Sequence, residues 1–110
     1  MSKQPEEYFN HILIEINYLL AETKNLHAGQ FLVDETKMRA FARSLEIIGE
    51  AAKQVDQNYR ELHPNVDWKA MAGMRDRLIH HYFGVDYEIV WDVVTNEIPK
   101  LKIQIEQLLK

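Results

Sequence analysis

Arg75-Asp76-Arg77-Leu78-Ile79-His80-His81-Tyr82 places a proton carrier, fixed cations, a carboxylate and a phenol within eight residues. Histidine titrates near neutrality, so His80 can give and take protons at physiological pH. Arginine remains charged and offers a planar fork, so Arg75 suits the stabilisation of negative charge that builds during a reaction. There is no cysteine, which removes disulfides, zinc–thiolate sites and thiol catalysis from consideration. Glu46 and Glu50 share a helix face, but no Glu-x-x-His motif accompanies them, so a di-metal carboxylate site is not indicated. Gly-rich phosphate loops and Ser-His-Asp patterns are absent, and neither metal nor cofactor is expected.

The spacing predicts a motif helix over about Met74 to Phe83. On such a helix Arg75 and His80 would lie about 140° apart, not on one face. Either the long arginine side chain reaches round, or a symmetric dimer brings two copies of the motif to one cleft. Asp76 and His80, four apart, would share a face. Asp76 could then accept a hydrogen bond from the imidazole, fixing its tautomer and favouring its charged form. Tyr82 lies seven beyond Arg75, on nearly the same face at the helix end. Arg77 is placed either to contact phosphate or to pair with an acid, and His81 faces elsewhere. An isolated Arg…His pair on a helix is more often a surface ion-pair partner than a catalyst, so the surrounding sequence has to decide.

That sequence resembles the HEPN superfamily, small helical proteins that are mostly ribonucleases, and within it the HepT branch. The resemblance rests on the R-x4-H-x-Y cluster and on an ordered set of segments. These are Phe31-Leu-Val-Asp-Glu, Ile47-Ile-Gly-Glu-Ala-Ala-Lys, Trp68 with Ala72-Gly-Met-Arg, Tyr82-Phe-Gly-Val-Asp and Val90-Trp91. It implies a toxin of a HepT/MntA toxin–antitoxin pair: a homodimeric, metal-independent endoribonuclease with Arg75 and His80 catalytic and Asp76 in support. Arg77 and His81 become candidate RNA contacts, the RNA being a tRNA or an mRNA. RNA brings its own nucleophile, the 2′-hydroxyl, so a proton carrier and a cation suffice. The resemblance further implies a nucleotidyltransferase partner of the MntA kind that transfers AMP from ATP to Tyr82. A rival reading is a noncatalytic helical module that only pairs with that nucleotidyltransferase. A third is a helical dimerisation protein with no nucleic-acid role.

A chain of 110 residues is one domain, 1–110, with room for a real core. Its net charge of −4 argues against broad, nonspecific nucleic-acid binding and mildly favours the rival. The charge is uneven: Lys69, Arg75, Arg77, His80 and His81 face only Asp76 between Trp68 and Phe83. The N-terminus lacks the apolar run of a signal peptide, and nothing approaches the roughly 20 apolar residues of a membrane span. A cytoplasmic protein is expected.

The elements that must position the motif read as helices throughout. Phe9, Ile12, Leu13, Ile16, Leu19 and Leu20 recur at helical spacing, predicting a first helix from about Pro5 to Lys24, with Gly29 as the break after it. Asp34 should cap a second helix with the stripe Met38, Phe41, Ala42, Leu45, Ile48, Ala52 and Val55. Gly49, a residue that weakens helices, should be there to let another helix approach. His63-Pro64-Asn65 interrupts the chain, Asp67 caps a short helix from Trp68, and Gly73 separates it from the motif helix. Gly84 ends the motif helix, Asp86 caps the last one, and Pro99 should kink or break it. The histidines His11, His27 and His63 read as surface or structural; Trp68, Trp91, Tyr87 and the methionines read as core or interface. The expected fold is all-α, an antiparallel bundle of four main helices plus a short one, HEPN-like and paired as a two-fold dimer.

Overall fold

The computed structural model describes residues 4–80 and 84–110, with His80 described by its backbone alone. Three apolar stripes build the core. The first lies on α1 (Pro5–Thr23), where Phe9, Ile12, Ile16 and Leu19 are fully buried. The second lies on α3 (Glu35–Lys53), through Phe41, Leu45, Ile48 and Ala52. The third runs along α7 (Tyr87–Asp92), a π-helical turn at Val93–Glu97 and α8 (Ile98–Leu108), burying Val90, Val93, Val94, Ile98, Leu101 and Ile105. α1 packs on both α3 and α8, so the three stripes close on one another. Each fully buried aliphatic or aromatic side chain contributes about 1.5–3 kcal/mol. The remaining side of the core is filled by α5 (Trp68–Ala72) and α6 (Met74–Leu78), which both pack on α3. The all-α class therefore holds, and among the described residues no helix is long and apolar enough to cross a membrane.

The helix ends follow the expected side-chain chemistry in most places. Asp34 accepts from the Lys37 N–H, Asp67 from the Ala70 N–H, and Asp86 from the Glu88 and Ile89 N–H groups. Each removes an orphan donor from a helix start. Pro5 sits in the first turn of α1, where its missing donor is harmless. Pro99 lies just inside α8, and the strain it would impose on the preceding turn is absorbed by the π-helical turn. There the Ile98 N–H reaches back to the Val93 carbonyl. Past the end of α3, Arg60 on α4 (Gln57–Leu62) donates to the carbonyls of Ala52, Lys53 and Val55. That cap closes α3 before Val55, which is buried outside the helix.

Two expectations are corrected. Gly29 does not break the chain: it lies within the short α2 (Ala28–Phe31), started by His27 and Gln30 capping one another. The reversal comes earlier, at Asn25, whose φ of 64° is in the left-handed region that asparagine tolerates. More consequentially, the motif is not one helix to Phe83. α6 ends at Leu78, and the backbone of β1 (Ile79–His80) pairs antiparallel with β2 (Gly84–Val85). Ile79 is placed opposite Val85 and His80 opposite Gly84. A five-residue helix holds barely one turn of hydrogen bonds, too little to carry a β-branched residue onward. The extended pair is fastened instead by the Asp86 N–H on the Leu78 carbonyl at 2.7 Å, and Gly84 takes a φ of 86°.

Candidate active site

Met74 and Leu78, one turn apart, are buried and anchor α6. The intervening Arg75, Asp76 and Arg77 are exposed. Residues two apart on a helix point about 200° apart, so the two arginines leave α6 on opposite flanks, and each meets an acid. Arg75 turns toward α3, where its Nε lies 2.9 Å from Oε2 of Glu46. Arg77 turns toward the π-helical turn and forms a two-pronged pair with Glu97, at 2.9 and 2.6 Å.

These pairs differ in kind. The hydrogen bonds from Arg77 hold the Glu97 carboxyl below the ordinary glutamate value, while Glu97 pushes Arg77 further up. Both planar groups are satisfied by each other, so of the two roles open to Arg77 the structure shows the ion pair with an acid. Arg75 instead keeps 55% of its side chain exposed. Glu46 is shared: its Oε1 accepts from Arg43 at 2.6 Å, while its Oε2 faces Arg75. That hydrogen bond, with help from Glu50 at 3.8 Å, raises Arg43 above its ordinary value.

The approach of α6 to Glu46 depends on Gly49, three residues further along the same face of α3. A Cβ there would lie 3.1 Å from the Met71 carbonyl oxygen of α5 and 3.9 Å from Cβ of Met74. The missing side chain lets the α5–α6 pair sit directly on α3. Trp68 fixes the other end of α5, buried with its indole N–H on the His63 carbonyl at 2.9 Å. His63 itself stacks on Tyr59, with ring centroids 4.3 Å apart. Trp91 packs on Phe31 at 5.2 Å. These rings are core and connector, as their spacing indicates.

Of the sequence-derived site residues, Arg75, Asp76 and Arg77 are thus brought onto one short helix, with the His80 backbone two residues past its end. Asp76 and His80 do not share a helix face, because the helix stops between them. The 140° offset lapses for the same reason. The imidazole of His80, His81 and the candidate modification site Tyr82 lie outside the described side chains. Glu46 and Glu97 were not foreseen as partners of the motif; on sequence alone Glu46 registers only as half of a carboxylate pair. Its position three residues before a helix-weakening glycine was the available signal. Among the described residues no three His, Asp or Glu converge in a way that could hold a metal ion. A concavity of about 630 Å³ lies nearby, lined by Arg60, Trp68, Lys69 and Gly73 among others. It does not include Arg75. Its Arg60 and Asp67 are already spent on the ends of α3 and α5.

Comparison with known proteins points the same way as the motif. Residues 12–108 match a family described as Ribonuclease HepT-like. A provisionally named RNase of Caldanaerobacter subterraneus is 47% identical over 108 residues, covering 98% of this chain and 96% of its own. A protein of Thermococcus cleftensis, provisionally named ribonuclease HepT, is 40% identical over 110 residues and covers the whole of both chains. A provisionally named RNase of Methanocaldococcus jannaschii is 40% identical over 108 residues, covering 98% of this chain and 89% of its own. No solved structure matches.

Proposed function

Because the chain belongs to the HepT-like family, we propose that it is a metal-independent endoribonuclease, the toxin of a toxin–antitoxin pair. The observation that carries this reading is the exposed Arg75 on a short helix packed on α3, with the His80 backbone two residues past that helix, in a chain matched from residue 12 to 108. The RNA 2′-hydroxyl attacks the adjacent phosphorus, forming the 2′,3′-cyclic phosphate, while the bond to the 5′-oxygen breaks. His80 moves the protons of that exchange, and Arg75 stabilises the charge that gathers on the phosphorane. Asp76 supports the site electrostatically from the same exposed turn. In a two-fold dimer the motifs of two protomers face each other, so that Arg75 and His80 need not meet within one chain.

Control falls to Tyr82. A cognate nucleotidyltransferase of the MntA kind directs the Tyr82 hydroxyl onto the α-phosphorus of ATP. The phenol loses its proton, a phosphodiester forms and pyrophosphate leaves. The added phosphate and adenosine would occupy the space and the cation that RNA requires.

The test is cleavage of total RNA by the purified chain in EDTA, with growth followed on expression. Arg75→Ala and His80→Ala should each lower cleavage by about 10²-fold or more while leaving the fold intact. ATP, Mg²⁺ and the nucleotidyltransferase should add AMP mass to the wild type and silence it. Tyr82→Phe should block that addition and keep cleaving. Full cleavage by His80→Ala would refute the catalytic assignment. A wild-type chain that binds the nucleotidyltransferase but never cleaves RNA would instead be a noncatalytic module.

A further inference from the structure

We infer that Glu46 is a positioning residue for Arg75, itself held by Arg43, so that the working unit on this flank is Arg43–Glu46–Arg75. This rests on the ribonuclease reading above. Arg75 projects from a helix of five residues and is more than half exposed, so nothing in α6 itself fixes its rotamers. A free arginine side chain loses rotamer entropy when it is immobilised, and a substrate phosphate would have to supply that on each turnover. Glu46 removes the need in advance. It projects from the middle of a 19-residue helix, is only 28% exposed, and has one oxygen already fixed by Arg43 at 2.6 Å. Its other oxygen meets Arg75 at Nε, at the stem side of the guanidinium. The contact at Nε still leaves more than half of the side chain open to solvent and to any phosphate that arrives there.

A simple latch would have a different signature. If Glu46 only competed with substrate for Arg75, removing its charge would tighten RNA binding and leave turnover untouched. If Glu46 positions Arg75, removing it leaves binding as good or better but misplaces the cation in the transition state. Misplacement by about 1 Å can cost about 10²-fold in rate.

Glu46→Gln keeps the size of the side chain at a half-buried helix position, so steady-state cleavage of a short single-stranded RNA can be compared directly with wild type. The expected result is kcat lowered by about 10-fold or more, KM unchanged or lower, and a melting temperature lowered too little to account for the lost rate. Arg43→Gln, which frees Glu46 but leaves its charge, should lower kcat in the same direction by a smaller factor. Unchanged kcat with lowered KM would make Glu46 a competitor and overturn the inference. So would unchanged kinetics, or activity lost only in step with melting temperature. Arg75→Ala separates the two levels of argument. If it abolishes cleavage while Glu46→Gln has no effect, only the positioning role fails; if wild type does not cleave, the ribonuclease reading fails and this one with it.

Discussion

Gly49→Ala is the sharpest probe of how the site is held. In a free helix alanine is favoured over glycine by about 1 kcal/mol, so propensity alone says that the change stabilises. The structure says the opposite. The new Cβ would lie 3.1 Å from the Met71 carbonyl oxygen, several tenths of an ångström inside ordinary contact. The obstruction is backbone, so no rotamer change relieves it; α5 must move off α3. Overpacking of this kind costs about 1–3 kcal/mol, leaving a net loss of about 1 kcal/mol after the propensity gain. For a domain of about 100 residues that is a fall of about 4–8 °C in melting temperature. Gly29→Ala is the control, since a Cβ there meets nothing within 4 Å. It should be neutral or slightly stabilising. Because Met74 of α6 also borders the Gly49 position, the displacement should carry Arg75 away from Glu46 and lower RNA cleavage further than the lost stability explains. Calorimetry and a cleavage assay on both variants decide it. A Gly49→Ala protein that melts at or above wild type and cleaves normally would refute the docking argument.

Two further outcomes are expected. Gly84→Ala forces a side chain into a backbone at φ 86°, at a cost of about 1–2 kcal/mol, and should loosen the strand partner of His80; urea titration showing unchanged stability would remove the strain argument. Arg77→Gln should lower stability by only about 0.2–1 kcal/mol at pH 7, because the pair is partly exposed, and should lower cleavage modestly, because α6 is then freer to turn and carry Arg75 with it. Since Glu97 is held below its ordinary value when folded, the pair's contribution is fully present above the unfolded glutamate value of about 4.3. It is lost as pH falls through the lowered folded value. The stability gap between wild type and Arg77→Gln should therefore close in acid, and a gap that stays constant to pH 2 would assign it to something other than the ion pair.

What could be read from sequence was local. Asp34, Asp67 and Asp86 cap helices because a short acidic side chain before an apolar periodic run has few other uses there. Gly49 was legible for a related reason: a helix-weakening residue on a buried stripe implies a close neighbour. The irregularity expected at Pro99, a kink or a break, takes the form of a π-helical turn just before it. The misreadings arose where local signals compete. Gly29 outranked Asn25 as a chain breaker, although asparagine can also enter the left-handed region. The strand at Ile79–His80 was hidden in the same way, since pairing with Gly84–Val85 is a tertiary event that periodicity does not encode. Glu46 and Glu97 escaped for the same reason. Periodicity gives the face a residue occupies, not which distant face it meets.

α6 is too short to be stable alone, so the placement of Arg75 is set by what α6 docks on. Met74 and Leu78 bury it, Gly49 lets it come close, and the divergent pairs to Glu46 and Glu97 fix its rotation about its own axis. Turning α6 in either direction stretches one pair while compressing the other, so the two act together against rotation even though each is weak by itself. The proposed catalytic cation is thus held by residues of α3 and the π-helical turn, elements that carry none of the motif. Substitutions there should change rate without touching a residue of the R-x4-H-x-Y cluster, whereas surface changes on α1 or α8 away from these contacts should not.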